Sequence, residues 1–168
     1  WEGVGARGIA AHRDMGLAAD GVPTEVVFAS GDASTGMEKP PVGAGISAVT
    51  IEDPELAFAG ARAHNRFLVD LCATSPDRRA GIGLVPISHD ITRAVAEIEW
   101  LADKPGIRGI MVPTMWRDRL PYNHPDYDPV WAACEAAAFP VHPNSAAAPP
   151  RALNDIIGLH PAAQGIRP

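Results

Sequence analysis

The stretch GIGLVPISHDITRAVAEIEWLADKPGIRGIMV, from Gly81 to Val112, decides the fold that the sequence predicts. It begins with an apolar run at residues 81–87 and ends with another at residues 107–112, and both runs are typical of strands in a covered parallel sheet. Between them lies the clearest amphipathic helix of the chain, starting at about Ser88. Its predicted buried stripe consists of Ile91, Ala94, Val95, Ile98, Leu101 and Ala102. A strand–helix–strand unit of this kind predicts a right-handed crossover.

Two further strands are predicted, one on each side of this unit, at residues 24–29 (TEVVFA) and 139–144 (FPVHPN). The last three strands recur at close to the ~31 residues of one strand–helix unit in a barrel of eight units. The first interval is longer because of a Gly/Pro-rich insertion at residues 30–42, for which a lid and a poorly packed excursion are both open. The spacing therefore predicts an α/β fold, part of a (β/α)₈ TIM barrel, as one domain over residues 1–168.

Three more helices are predicted in the intervals. One begins at Asp53-Pro54, an N-cap followed by a proline in the first turn, and ends before Ser75-Pro76. Its predicted buried stripe consists of Leu56, Gly60, Ala63, Phe67 and Leu71. The next begins at Asp128-Pro129, with Val130, Ala133, Cys134 and Ala137 buried. A weaker helix covers residues 9–19, and the isolated Cys134 is predicted to be a small buried hydrophobe.

Composition and charge exclude several classes of function. The chain is 46% hydrophobic and 20% charged, which is typical of a globular domain, and its formal net charge is −6 without any Lys/Arg cluster. We therefore expect no nucleic-acid partner. No apolar run approaches the ~20 residues of a membrane span, and no signal peptide is visible, so we expect a cytoplasmic protein. The scarcity of lysine beside abundant Ala, Gly and Pro suggests a bacterial, GC-rich genome.

Three motifs, in this order, carry a resemblance to a known family. They are residues 63–68 (AHNRFL) with 77–78 (DR) and 83–87 (GLVPI), residues 94–98 (AVAEI) with 106–110 (GIRGI), and residues 124–131 (HPDYDPVW) with 139–141 (FPV). Together with residues 20–28 (DGVPTEVVF), they resemble the amidohydrolase-related family that includes aminocarboxymuconate-semialdehyde decarboxylase and the resorcylate decarboxylases. The resemblance covers about residues 13–145. With the strand spacing, it indicates barrel strands two to five, and we expect the chain to be truncated at both ends.

The resemblance implies a metal-dependent hydrolase or decarboxylase acting on a small carboxylated or aromatic substrate. Such enzymes hold one divalent metal, usually zinc, which polarises the substrate or activates a water. The family ligands are a His-x-His pair on the first strand, a His ending the fifth and an Asp ending the eighth, with a sixth-strand His nearby. This sequence contains no His-x-His motif. Because the other ligand-bearing strands are also expected to be missing, we expect this chain to be inactive, and catalytic residues stay unassigned.

The fifth strand offers the candidate metal ligands. Counted from Pro140, the family pattern places its ligand at Asn144, but the histidine of this sequence is His142. Strand periodicity puts both residues on one face. His142 is a metal ligand after a local shift, or Asn144 occupies the ligand position and weakens binding, since an amide oxygen is a poor substitute for imidazole at zinc. A strand-end histidine bonded to backbone or water is the remaining alternative.

Candidate substrate contacts follow the fourth of the barrel strands. Trp116 and Arg117 lie in its loop, and the planar fork of Arg117 suits a carboxylate. His124 lies in the same loop, as a substrate contact or as a turn residue before Pro125. His64 is expected to be a structural or surface group.

A second hypothesis is a half-barrel without catalytic activity that serves as a binding or assembly module. Half a barrel leaves two sheet edges open, which favours pairing with another half and a homo-oligomer.

Overall fold

The computed structural model describes residues 6–29, 53–113 and 119–144. The elements in chain order are α1 (Ala6–Ala19), β1 (Glu25–Val27), α2 (Pro54–Ala73), β2 (Arg79–Leu84), α3 (Ile91–Ala102), β3 (Ile107–Pro113), a 3₁₀ helix (Pro125–Tyr127), α4 (Asp128–Ala136) and β4 (Val141–Asn144). Every predicted helix and strand is present. The insertion at residues 30–42 lies outside the described residues.

The four strands form one parallel sheet in the order β1-β2-β3-β4. Each neighbouring pair of strands is joined by a connection that contains a helix, as predicted for successive strand–helix units. This arrangement confirms the α/β prediction.

Two helices begin at aspartates that satisfy free backbone N–H groups. Oδ1 of Asp53 accepts hydrogen bonds from the N–H groups of Glu55 (2.8 Å) and Leu56 (3.2 Å), so α2 begins where the sequence predicts. For α3 the N-cap is Asp90, which accepts a bond from Arg93 N–H. The expected start at Ser88 was therefore two residues too early, because Asp90 is the residue placed to cap the first turn.

The sheet is curled into part of a barrel. Adding a Cβ to Gly83 would place it 2.5 Å from Cδ1 of Leu101 on α3, so this face of β2 lies directly against the helices. Side chains alternate along a strand, and Ile82 therefore faces the opposite, inner side. There the Phe28 ring, just after β1, lies edge-on to the His142 ring of β4, with 5.3 Å between their centroids. Side chains from the two outermost strands meet because the sheet curves around this inner face.

The main core lies between the sheet and the helices. Leu68, Ile98, Leu101, Ile110 and Val130 are fully buried there, one or more from each of α2, α3, β3 and α4. The predicted stripes of α3 and α4 are confirmed at their central positions. Cys134 is buried as a free thiol, as predicted, and Cys72 is buried in the same core.

The predicted stripe of α2 was partly wrong. Leu56 and Phe67 are 42% and 41% exposed, whereas the buried face of the helix includes Ala57, Ala61, Asn65, Leu68 and Cys72. These positions are spaced four, four, three and four residues apart, which is a regular helical stripe. The stripe was missed because its central member is polar.

Asn65 is fully buried because its side-chain amide takes the place of a neighbouring strand. The β1 ladder ends at Val27, opposite Gly81, and Leu84 lies three positions beyond it. The Asn65 Nδ2 group donates to Leu84 O (2.9 Å), and its Oδ1 accepts from Leu84 N (2.7 Å). Both backbone groups of Leu84 are thereby satisfied on the side where β1 has already ended.

Glu97 extends this buried cluster to α3. It is 3% exposed, and its Oε1 accepts the second Asn65 Nδ2 bond at 2.8 Å, while Oε2 pairs with Arg62. The Arg62 guanidinium in turn lies 4.5 Å from the Trp100 ring centroid. A buried carboxylate needs such partners, so α2, α3 and the end of β2 are held together by polar contacts as well as by packing.

Among the described residues, none of the helices combines the length and the apolar character that crossing a membrane requires.

We expect Asn65→Ala to lower the free energy of unfolding by about 3 kcal/mol, because the change leaves two Leu84 backbone groups and one Glu97 oxygen buried without a partner. Urea denaturation followed by circular dichroism measures it. The matched control is Asn123→Ala, at an exposed loop position, for which we expect about 0.5 kcal/mol or less. Equal effects of the two substitutions would show that the Asn65 amide is not important for stability.

Candidate functional site

The carboxyl ends of the four parallel strands lie at one edge of the sheet, where barrels and open parallel sheets place their ligand sites. Phe28, Ser88 and Pro113 stand at or just after the ends of β1, β2 and β3, and β4 ends at Asn144. We call this the carboxyl edge. Its residues define the candidate functional site.

His142 lies on the inner face at the carboxyl edge. It pairs in register with Met111, whose own neighbour on β2 is Leu84. The edge-on contact with Phe28 supports one side of the imidazole ring. The register agrees with the predicted inward direction of His142, and Asn144 follows two positions later, opposite Pro113.

Tyr122 organises the end of the loop after β3, and no motif in the sequence predicted this role. Its hydroxyl donates to Pro113 O and lies 3.4 Å from Ser88 Oγ, while its carbonyl accepts a 3.0 Å bond from Trp131 Nε1. The ring lies edge-on to Tyr127 and Trp131. These contacts bring the loop's last residues back to the end of β3.

Burial raises the pKa of Tyr122 to about 12, and the hydrogen bond with Ser88 opposes that shift only in part. The phenol is therefore protonated at neutral pH and acts as a hydrogen-bond donor, not as a base.

His124 caps the 3₁₀ helix beside this aromatic group. Its Nδ1 accepts a hydrogen bond from Asp126 N at 3.3 Å, which is the contact expected of a turn residue before Pro125. The side chain is 39% exposed. Trp116 and Arg117, the other two predicted substrate contacts, lie outside the described residues.

The described side chains do not make a complete metal site. No group of three or more His, Cys, Asp or Glu side chains that could hold a metal ion occurs within residues 6–29, 53–113 and 119–144. His142 is the candidate ligand at the carboxyl edge, and a structural zinc site needs four ligands or a catalytic one three. Any metal held here needs ligands from outside this part of the chain.

The opposite edge of the sheet, at the amino ends of the strands, holds a charged cluster. Arg79 is 2% exposed, and it donates to Glu25 Oε1 (2.8 Å) and Thr74 Oγ1 (2.7 Å) and pairs with Asp14. Burial by itself would raise the pKa of Glu25, but hydrogen bonds and charges from Arg13 and Arg79 outweigh it and lower the pKa. An open depression of about 390 Å³ lies beside this cluster, lined in part by Arg78 and Arg108. At this end of a barrel such contacts serve stability.

His64, on α2, is not part of either edge. Its Nε2 atom is buried and has no hydrogen-bond partner in the described part of the chain, and burial lowers the pKa of the imidazole. The expectation of a structural group agrees with this environment.

The comparisons with known proteins give the family. A family model described as amidohydrolase matches residues 38–164, more than half of the chain. The chain belongs to the amidohydrolase family. No match is found among curated proteins.

Solved structures similar to this amidohydrolase chain include several decarboxylases. A 2,6-dihydroxybenzoate decarboxylase in complex with 2,6-dihydroxybenzoate matches at 25% identity and TM-score 0.59, covering 77% of this chain and 37% of its own. The enzyme from Rhizobium gives the same values. The 5-carboxyvanillate decarboxylase of Novosphingobium aromaticivorans, with bound manganese, has TM-score 0.65 at 20% identity and covers 88% and 38%.

A dihydroxybenzoic acid decarboxylase from Polaromonas, with manganese and 2-nitroresorcinol, has TM-score 0.61 at 23% identity and covers 88% of this chain and 41% of its own. The amidohydrolase chain thus spans about two fifths of the length of the structures it matches. Its fold is part of their barrel, which confirms the predicted fold class.

We expect the stability of the protein to fall as the pH is lowered through about 6.5, the ordinary pKa of histidine, because burial lowers the pKa of His64 below that value in the folded state. Because the pKa of His64 is lower in the folded state than in the unfolded state, the unfolded chain binds a proton first as the pH falls. Proton binding therefore shifts the equilibrium toward the unfolded chain. Unfolding free energies at pH 7.5 and 5.0 measure the loss.

His64→Leu should reduce this loss between the two pH values, and His12→Leu, at an exposed position of α1, should not. The same pH dependence in His64→Leu as in the wild type would exclude His64 as its source.

Proposed function

We propose that this chain is part of a metal-dependent enzyme that acts, as a hydrolase or a carboxy-lyase, on a small carboxylated or aromatic molecule in the cytoplasm. The observation that carries the proposal is His142, an inward-facing histidine at the carboxyl edge of a partial amidohydrolase barrel. The aromatic acids and inhibitors bound by similar structures favour decarboxylation.

In this proposal each predicted residue has a role at the carboxyl edge. His142 is a metal ligand and Asn144 is the alternative at that position. Arg117 would hold a substrate carboxylate through paired N–H groups, and Trp116 would be a further substrate contact. His124 would contact the substrate from the far side of the loop, which Tyr122 holds in place. Phe28 restricts the His142 ring to one side of the site.

A divalent metal, zinc in our proposal, supplies Lewis-acid chemistry to the complete enzyme. Because the described residues provide at most His142 and Asn144 toward it, we derive no reaction step through that metal. The chain alone is proposed to be inactive, since two ligands leave a metal weakly held.

The chain purified with Zn²⁺ or Mn²⁺ should retain clearly less than one metal ion per chain after desalting, and it should not release CO₂ from 2,6-dihydroxybenzoate. Elemental analysis and a decarboxylation assay measure the two quantities. One tightly held ion per chain together with turnover would overturn the proposed inactivity.

Residual metal affinity, measured by titration calorimetry, tests the ligand itself. We expect His142→Ala to weaken it about tenfold, as loss of one contact worth about 1.4 kcal/mol would. His12→Ala, at an exposed position of α1, is the matched control and should not change it. Equal affinities of the two variants would remove His142 from the proposed site.

The second candidate function is that of an assembly module without catalytic activity. The observation that favours it is the inner face: Val26 and Phe28 are 56% and 44% exposed there. Moreover, β1 and β4 are the outermost of the described strands, and each has a backbone edge that no described strand covers. A partner chain that added strands beside β1 and β4 would cover the exposed inner-face side chains and the open backbone edges.

If the chain assembles through this face, Val26→Asp should convert a stable oligomer to monomer, because it places a charge on the buried seam. Light scattering coupled to size-exclusion chromatography measures the mass. Val22→Asp, at a position 37% exposed before β1, is the control that should leave the mass unchanged. A wild-type chain that is monomeric would exclude the assembly module.

A further inference from the structure

We propose that the outer face of α2 is a contact surface between two copies of this chain, with the two α2 helices packed antiparallel. This face, the α2 face, consists of Leu56, Ala59, Ala63 and Phe67. All four are exposed, and the two large side chains are more than 40% exposed. The proposal is independent of the catalytic one.

The spacing of the two large side chains makes the α2 face self-complementary. Leu56 and Phe67 are eleven residues apart, which is close to three helical turns, so they lie on one side of the helix. A two-fold axis that crosses α2 midway between them brings Leu56 of each copy against Phe67 of the other. Ala59 and Ala63 lie near that axis, where their small side chains allow the helices to approach to about 8 Å.

Charge complementarity selects the antiparallel orientation. Glu55 and Arg66 are also eleven residues apart, are exposed, and lie on the same flank of the α2 face. The two-fold axis places Glu55 of each copy opposite Arg66 of the other, which gives two ion pairs. In a parallel pair, Glu55 and Arg66 of one copy would lie on the opposite flank from those of the other, so neither ion pair would form. Oε1 of Glu55 contacts Arg93 within the chain, and its side chain is still 81% exposed.

The size of the surface sets the strength of the complex. A single pair of helices buries less than the ~1,600 Å² of a standard stable interface. The dimer should therefore form reversibly at micromolar concentrations of the chain.

Sedimentation equilibrium of the full chain over the micromolar range tests the proposal. We expect the wild type to be a reversible dimer and Phe67→Glu to raise its dissociation constant at least about tenfold, because a charge replaces a central apolar contact. Met15→Glu is the matched control: Met15 is 66% exposed on α1, outside the α2 face, and its change should have no effect. Helix content by circular dichroism checks that each variant is folded.

Charge reversal tests the orientation. Glu55→Arg and Arg66→Glu should each raise the dissociation constant about fivefold, and the double variant should restore the wild-type value. Both Glu55→Arg and the double variant lose the Arg93 contact, so the restoration reports only the pairing between copies.

Three outcomes overturn the proposal: a wild-type chain that stays monomeric, a dimer that is insensitive to Phe67→Glu, or a double reversal that restores nothing. A dimer that persists in Phe67→Glu but dissociates in Val26→Asp would place the interface on the inner face instead. That result would support the assembly module and exclude the α2 face.

Discussion

At the carboxyl end of β2, the neighbouring strand β1 has already ended, and the side-chain amide of Asn65 satisfies the backbone of Leu84 in its place. A buried backbone N–H or C=O without a hydrogen-bond partner is costly, so β2 can extend to the carboxyl edge only if another group bonds the backbone of Leu84. The same amide bonds Glu97, and through it fixes α3 and Arg62. One polar side chain of α2 thus joins the carboxyl end of β2 to α3 through hydrogen bonds.

The two edges of the sheet differ in burial and in charge. At the amino edge, Arg79 is buried with Glu25 and Asp14, and its hydrogen bonds join α1, β1 and β2. At the carboxyl edge, His142 is half-buried and Phe28 is exposed, and the end of the loop after β3 is held by Tyr122. This difference agrees with the known arrangement of barrels, in which the strand ends that carry the loops are free to vary in function.

The amidohydrolase family explains why the site looks incomplete. The chain spans about two fifths of the length of the decarboxylases it matches, and two of those structures contain bound manganese. A part of their barrel with four strands contributes one inward-facing histidine from its described residues. The catalytic proposal therefore concerns the complete enzyme, whereas the inner face and the α2 face concern the chain itself.

Local patterns in the sequence were sufficient to predict the helices and strands and their order along the chain. Apolar runs, an Asp-Pro helix start and regular spacing predicted four parallel strands with helices between them, because these signals involve residues close together in the chain. The family motifs extended this prediction from a parallel sheet to strands two to five of a TIM barrel. They also located His142 at the end of the last strand, although its role as a ligand stays a prediction.

Only the tertiary structure decided which polar groups lie inside and which residues meet. Asn65 interrupts the apolar pattern of α2, which is why the pattern predicts burial of Leu56 and Phe67 there. Glu97 is the buried polar residue of α3. The contacts between Asn65 and Leu84, Tyr122 and Pro113, and Phe28 and His142 join residues that the curl and register of the sheet bring together. Periodicity along one element cannot show such contacts, because their energy depends on the partner that another element supplies.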